Sequence, residues 1–193
     1  MKGESKGSHR EKKMKIVIGS WGSYNECNER ALGSKWLDLA DFDSWEAIEE
    51  ELTKQGFELD GIDEELFIQD IDGDWGFNCD YMHPKRLFEL MVDGDIIRNY
   101  TKEELALAYI EARSWDDLVK LIDTKGESWD DDIYFYHNMT PAEVAEDMVN
   151  SCYPEFDFDK LGWIGNYITI DYEAIADDEP YYEVSGGTIE IRE

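Results

Sequence analysis

"PKRLFELMVDGDIIRNYTKEELALAYIEARSWDDLVKLIDTK", residues 84–125, is the long stretch of this chain in which bases nearly answer acids. From Lys85 to Lys125 there are seven Lys or Arg and nine Asp or Glu. The stretch reads as helical. Pro84 can open "PKRLFELMV" because the first amide of a helix has no intrahelical partner to lose. Thr101-x-x-Glu104 matches a capping box ahead of "LALAYIEA", and Ser114-x-x-Asp117 caps "DLVKLI". Short helices on tight links make a helical module, and both flanks differ from it.

Upstream, from Lys54 to Lys85, nine acids stand without an intervening Lys or Arg. In this first module, which begins at Met14, Lys15 to Trp21 and Lys35 to Ala40 read as strands, the second from the alternation of Leu37 and Leu39 with Asp38 and Ala40. A helix follows with Ser44 as N-cap, with Trp45, Ile48 and Leu52 on one face and Gln55-Gly56 at its end. Leu66 to Asp70 is a third strand, closed by a turn at Asp72-Gly73. Downstream, ten acids lie between Lys125 and Lys160 and seven between Lys160 and Arg192, again with no base among them. Ile133 to Tyr136 reads as a strand, and Thr140-Pro141-Ala142-Glu143 combines N-cap, first-turn Pro and capping-box Glu. The helix that follows should set Val144, Ala145, Met148, Val149 and Cys152 inward. "YYEV" and "TIEIR" form a closing hairpin around Ser185-Gly186-Gly187.

The expected fold is therefore α+β, an elongated chain of three small domains: sheet-plus-helix over 14–80, helical over 81–125, and sheet-plus-helices over 126–193. Residues 1–13, with five Lys or Arg against two Glu, read as a disordered basic extension.

Composition narrows the function. The 193 residues carry a formal charge of −29, far beyond the magnitude of roughly 2 to 8 that solubility asks of a small domain. Seven Trp, eleven Tyr and eight Phe interleave with the acids, so this is a packed protein and not an acidic tail. Cys27, Cys79 and Cys152 are widely spaced and odd in number, as expected of reduced thiols in a cytoplasmic protein. No apolar run approaches a membrane span or a secretory signal.

Two chemistries are disfavoured. Asp70-Ile71-Asp72-Gly73-Asp74 begins like a calcium loop, but the turn glycine and the bidentate Glu that the template needs are here Trp75 and Tyr81. His83 and His137 are isolated, and no nucleophile or phosphate-binding motif is present, so neither catalysis nor a cofactor is expected.

The placement of charge is more telling. Glu46, Glu49 and Glu50 stand opposite Trp45, Ile48 and Leu52, and Glu143, Glu146 and Asp147 repeat the pattern in the third module. A like-charge i, i+4 pair costs a helix roughly 0.2–0.5 kcal/mol, where a Glu-to-Lys pair would stabilise it. The acids expected to form one functional surface add Asp38, Asp41 and Asp43 before the first helix. They include Glu58, Asp60, Asp63, Glu64, Glu65, Asp70, Asp72 and Asp74 in the run that follows it, and Asp130, Asp131, Asp177 and Asp178 in the third module. A single-sign negative surface selects a positive partner, and the commonest extended positive surface in a cytoplasm is a nucleic-acid-binding groove. Direct nucleic-acid binding is disfavoured for lack of Lys and Arg clusters; imitation of nucleic acid is not. Duplex DNA carries one charge per ~1.7 Å of axis, so roughly 30 net charges correspond to about 50 Å of duplex. A calcium buffer or a histone-like chaperone would share the charge.

Three stretches carry a family resemblance. "IVIGSWGSYNECNERALGSKWLDLADF", residues 16–42, resembles the opening of the ArdA antirestriction proteins. "FIQDIDGDWG", residues 67–76, is similar to their Gln-Asp-aromatic-x-Gly stretch, and "YITIDYEAIADD", residues 167–178, to their acidic-aromatic signature near the C-terminus. The resemblance implies an inhibitor of type I restriction-modification enzymes, encoded by mobile elements such as conjugative transposons. It implies a DNA mimic that occupies the groove of the methyltransferase core, made of specificity and modification subunits, without catalysis. It also implies a homodimer formed through the C-terminal domain, with Leu161, Trp163, Tyr167, Ile170 and Tyr172 at the interface.

Overall fold

The computed structural model describes residues 14–72, 75, 82–153 and 158–192. The fold is α+β, with two three-stranded antiparallel sheets separated in sequence by helices.

The first sheet is centred on β1 (Lys15–Ser20), flanked by β2 (Leu37–Asp38) and β3 (Leu66–Asp72). Period-two alternation sends Ile16 and Ile18 into the core, both fully buried. The β1–β3 register shifts between Val17 and Ile18, which pair with Asp70 and Ile68, so Gln69 is the extra residue of a β-bulge. Beyond the shift Gly19 faces Phe67, and a side chain there would collide with the phenyl ring, its Cβ 2.5 Å from Cζ.

Two strand expectations are corrected. The first strand stops at Ser20 and not at Trp21, because the Ser20 hydroxyl accepts the Ser23 amide at 3.3 Å and opens a short helix, α1 (Trp21–Glu26). The second strand is only Leu37–Asp38: the Asp38 carboxylate accepts the Ala40 amide at 3.1 Å and turns the chain into a 3-10 turn, Leu39–Asp41. The next helix, α2 (Trp45–Lys54), is capped by Ser44 as expected and buries Trp45, Ile48 and Leu52.

Three helices make the middle of the chain: α3 (Pro84–Asp93), α4 (Tyr100–Ala112) and α5 (Trp115–Lys125). Pro84 and Ser114 stand where their sequence signals put them, whereas α4 begins earlier than Thr101. Its cap is Asn99, whose side-chain oxygen accepts the Lys102 amide at 3.2 Å, which leaves Thr101 and Glu104 inside the helix.

The second sheet has the order β4 (Ile133–His137), β6 (Gly187–Ile191), β5 (Tyr181–Val184), the last two joined as the anticipated hairpin. Between β4 and β5 lie α6 (Pro141–Cys152), two 3-10 turns within Phe158–Tyr167 that meet at a kink at Gly162, and α7 (Tyr172–Asp178), capped by Asp171. The capping box of α6 is present in both directions. Its inner stripe is shorter than expected: Val144 and Ala145 are buried, Met148 and Val149 half-buried, and Cys152 is exposed. The 12 residues of α6 are nearly twice the seven of α7, the helix it packs on, so the last turn has less to bury against.

One contiguous apolar cluster runs from Ile16, Ile18 and Leu39 through Leu87, Leu90, Met91 and Leu118 to Ile133, Ile189 and Ile191. Trp129 locks the middle of it, fully buried, with its indole N–H donating to the Gly94 carbonyl at 2.7 Å. Val144, Ala145 and Ala176, the buried residues of α6 and α7, stand outside this cluster.

Candidate functional site

The acids fall into three kinds of environment. Exposed are Asp41, Asp43, Glu46, Glu50, Glu58, Asp60, Glu64, Glu65, Asp70, Asp72, Asp131, Glu143, Glu146, Asp147, Asp177 and Asp178. Half-buried are Asp38, Glu49 and Asp130. Asp74 lies outside the described residues.

Asp63 is the correction. It was expected on the acidic surface, but it is fully buried. The Ser23 hydroxyl donates to one carboxylate oxygen, and the Glu58 amide donates to the other at 2.8 Å. The Arg30 guanidinium lies 2.9 Å away. Burial pushes the Asp63 carboxyl up, yet the hydrogen bonds from Ser23, Glu58 and Ser20, with the charge of Arg30, outweigh it and hold the group below its ordinary range. Asp63 therefore pins the 58–65 loop to α1 and leaves Glu58, Asp60, Glu64 and Glu65 on the outside.

Local engagement separates the others. On α2, Glu46 and Glu50 point to solvent, whereas Glu49 accepts the Trp45 indole N–H at 2.7 Å. The backbone amide and the Ser44 hydroxyl hold the Glu46 carboxyl below its ordinary value. Glu143 is likewise lowered, by the Thr140 amide and hydroxyl that bind its carboxylate in the capping box. Asp43 pairs with Arg98 at 2.7 Å, and the same arginine donates to the Ala40 carbonyl, tying the end of the 3-10 turn to the α3–α4 loop. Asp130 pairs with Lys102 at 3.0 Å.

Pairing follows the charge layout read from sequence. Within and around the central helices, Arg86 meets Asp123, Lys120 meets Asp117 and Lys125 meets Asp132. Among the described residues no Lys or Arg forms an ion pair with Glu46, Glu50, Asp60, Glu64, Glu65, Asp70, Asp72, Glu146, Asp147, Asp177 or Asp178. Unpaired like charges on short helices and one small sheet repel one another, and nothing in the fold requires them. Exposed Glu173, Glu179 and Glu183 belong with this group. The base-free run between Lys160 and Arg192 was the signal for them.

Among the described residues no three His, Cys, Asp or Glu side chains converge on a metal-sized site. No described helix is long and apolar enough to cross a membrane. A cavity of about 280 Å³ opens where β1 and the 3-10 turn meet the central helices, between Met14, Leu39, Trp75, Met91 and Tyr100, with Arg98 at its side.

No family model and no curated protein matches this chain.

The residues expected at a dimer interface divide as well. Leu161, Trp163 and Tyr167 are exposed, Trp163 by 74% and Tyr167 by 81%, and Ile164 and Ile168 join them. Ile170 and Tyr172 are half-buried. Trp163 and Tyr167 pack edge-to-face, with ring centroids 6.1 Å apart. So much exposed apolar surface within eight residues exceeds the singly scattered apolar side chains usual on a protein surface.

Proposed function

We propose that this protein is an antirestriction protein of the ArdA type, a DNA mimic that competes for the DNA-binding groove of type I restriction-modification enzymes. The observation that carries the reading is the set of exposed carboxylates on α2, the 58–65 loop, β3, α6 and α7 that have no ion-pair partner among the described residues. Each projects a charge from a folded element, as phosphates do from a duplex, and a groove lined by Lys and Arg would meet them by the same attraction. The sequence resemblance over residues 16–42, 67–76 and 167–178 supplies the family and hence the target, the methyltransferase core of specificity and modification subunits.

The reading includes a homodimer. The exposed apolar run Leu161, Trp163, Ile164, Tyr167 and Ile168 supports it, because a second copy bringing the same run would cover both. Pairing two chains also doubles the charge presented to one groove, to the equivalent of about 100 Å of duplex.

Competition tests the function. The purified protein should displace a target duplex from a type I methyltransferase in proportion to its concentration, and the displacement should weaken as salt rises, because exposed charges are screened. Failure to displace the duplex at any concentration rejects the reading.

A further inference from the structure

On the first sheet three aromatic rings gather at the surface. Trp21 stacks on Phe67, with centroids 4.2 Å apart and planes 24° off parallel. Tyr24 meets both edge-on, at 6.0 and 6.5 Å. Trp21 is 41% and Tyr24 53% exposed. Phe67 takes one face of the indole, so the open side of the stack faces solvent.

The cluster is held in place. The Ser20 cap fixes the start of α1, and the Trp21 amide donates to the Glu65 carbonyl at 3.0 Å. Gly19 leaves room for the Phe67 ring, and Gly22 packs its backbone directly on the Ile62 carbonyl, where any Cβ would clash. Exposed Glu64 and Glu65 precede β3 and exposed Asp70 follows Phe67 along it. A rigid aromatic face on a segment that also carries exposed acids is ready to bind with little ordering cost.

Its charge and shape fit one kind of group. A guanidinium is planar and weakly hydrated: it lies on an aromatic face while its edge N–H groups reach carboxylates, whereas an ammonium is a hydrated point charge. The second sheet shows the same arrangement within the molecule. Arg192 stands 4.5 Å over the Tyr134 ring while its Nε donates to Glu190 at 2.5 Å, and Arg113 lies 4.8 Å over Tyr182. Among the described residues no cation stands over Trp21, Tyr24 or Phe67.

We propose that the Trp21–Phe67–Tyr24 cluster, with exposed Glu64, Glu65 and Asp70 on the loop and strand that carry Phe67, is a docking point for an arginine side chain of a basic protein partner. The identity of that partner as a DNA-binding groove rests on the function proposed above; the choice of arginine over lysine does not.

The test compares two labelled peptides of equal length and charge, one built on arginine and one on lysine, binding to the full chain by fluorescence anisotropy. The arginine peptide should bind about three- to tenfold more tightly. That ratio should fall towards one in Trp21→Leu and persist in Trp21→Tyr, which keeps a π face. Glu146→Gln with Asp147→Asn, on α6, should weaken both peptides alike and leave the ratio unchanged. Equal affinities in the unaltered protein, or a preference that survives Trp21→Leu, would overturn the proposal. So would self-association that Trp21→Leu abolishes, since the cluster would then belong to a second copy. Should Trp21→Leu not fold, the Trp21 indole N–H resonance of the unaltered chain must shift on adding the arginine peptide, and a static resonance overturns the proposal equally. Failure to displace duplex from a methyltransferase alongside an intact arginine preference would reject mimicry alone.

Discussion

Asp63 and Arg30 meet at 2.9 Å with the carboxylate fully buried, so one acid of the most acidic stretch serves the fold and its neighbours do not. Removing the Asp63 carboxylate leaves the Ser23 hydroxyl and the Glu58 amide without their acceptor and the half-buried Arg30 without its counter-charge, which costs about 1–3 kcal/mol. Asp63→Ala should lower the unfolding free energy by that order, while Asp60→Ala, three residues away and exposed, should leave it nearly unchanged. Urea unfolding of both variants checks the contrast.

The same pair sets a pH dependence. The Asp63 carboxyl is held below its ordinary value of 3.8 in the folded chain. A depressed carboxylate stabilises the fold above the unfolded value, and that contribution is lost as pH falls through the folded one. Neutralising the exposed acids works in the opposite sense, because it relieves like-charge repulsion as pH drops from 7. Thermal stability should therefore rise on mild acidification and then fall below about pH 4. In Asp63→Asn the acid-side fall should be much reduced, as thermal melts across pH would show.

Salt should separate stability from binding. Screening weakens repulsion among Glu46, Glu50 and their counterparts on other elements, and it weakens attraction to a basic partner equally. Raising salt from low to moderate concentration should increase the melting temperature and reduce duplex displacement in the same preparation. A melting temperature that falls over that range would contradict the like-charge account of the surface.

What could be read from the sequence was local. Ser44, Ser114 and the Thr140–Glu143 box cap their helices because each partner amide is three residues away, and the hairpin at Ser185-Gly186 needs only its own turn. Trp21 reads as strand because it closes the β-branched and aromatic run that starts at Ile16; what ends β1 is the Ser20 hydroxyl together with Gly22 seated on Ile62, a contact 40 residues off in sequence. Asp63 was invisible as a core residue for the same reason, since only the approach of Arg30 and Ser23 distinguishes it from Asp60. Asn99 and Thr101 both carry cap chemistry, and the chain uses the earlier one. The exposed carboxylates were legible because nothing distant has to happen for a charge to remain in water.

Dispersed charge makes a prediction about mutational sensitivity. An exposed ion pair is worth about 0.2–1 kcal/mol, less than about fivefold in affinity. Glu46→Gln, Glu50→Gln or Asp70→Asn alone should each change inhibition by no more than that, whereas neutralising ten such residues together should abolish it. Glu49→Leu is a control of another kind: it removes the acceptor of the Trp45 indole N–H and should register in stability before inhibition. A complete loss from any single exposed acid would point to a local site.

In the proposed reading the apolar run at 161–168 joins two copies. Trp163 and Tyr167 are among the most exposed aromatic side chains described, and α6 and α7, the helices nearest them in sequence, bury their few apolar residues outside the main cluster. A charge placed there should therefore break association without unfolding the two sheets. Trp163→Glu with Tyr167→Glu should shift the protein from dimer to monomer in light scattering and leave its far-ultraviolet circular dichroism unchanged. Inhibition per chain should fall as well, because the groove would then meet the charge of one copy in place of two. A double variant that stays dimeric would move the interface elsewhere, and one that is monomeric but fully inhibitory would show that a single chain spans what the groove reads.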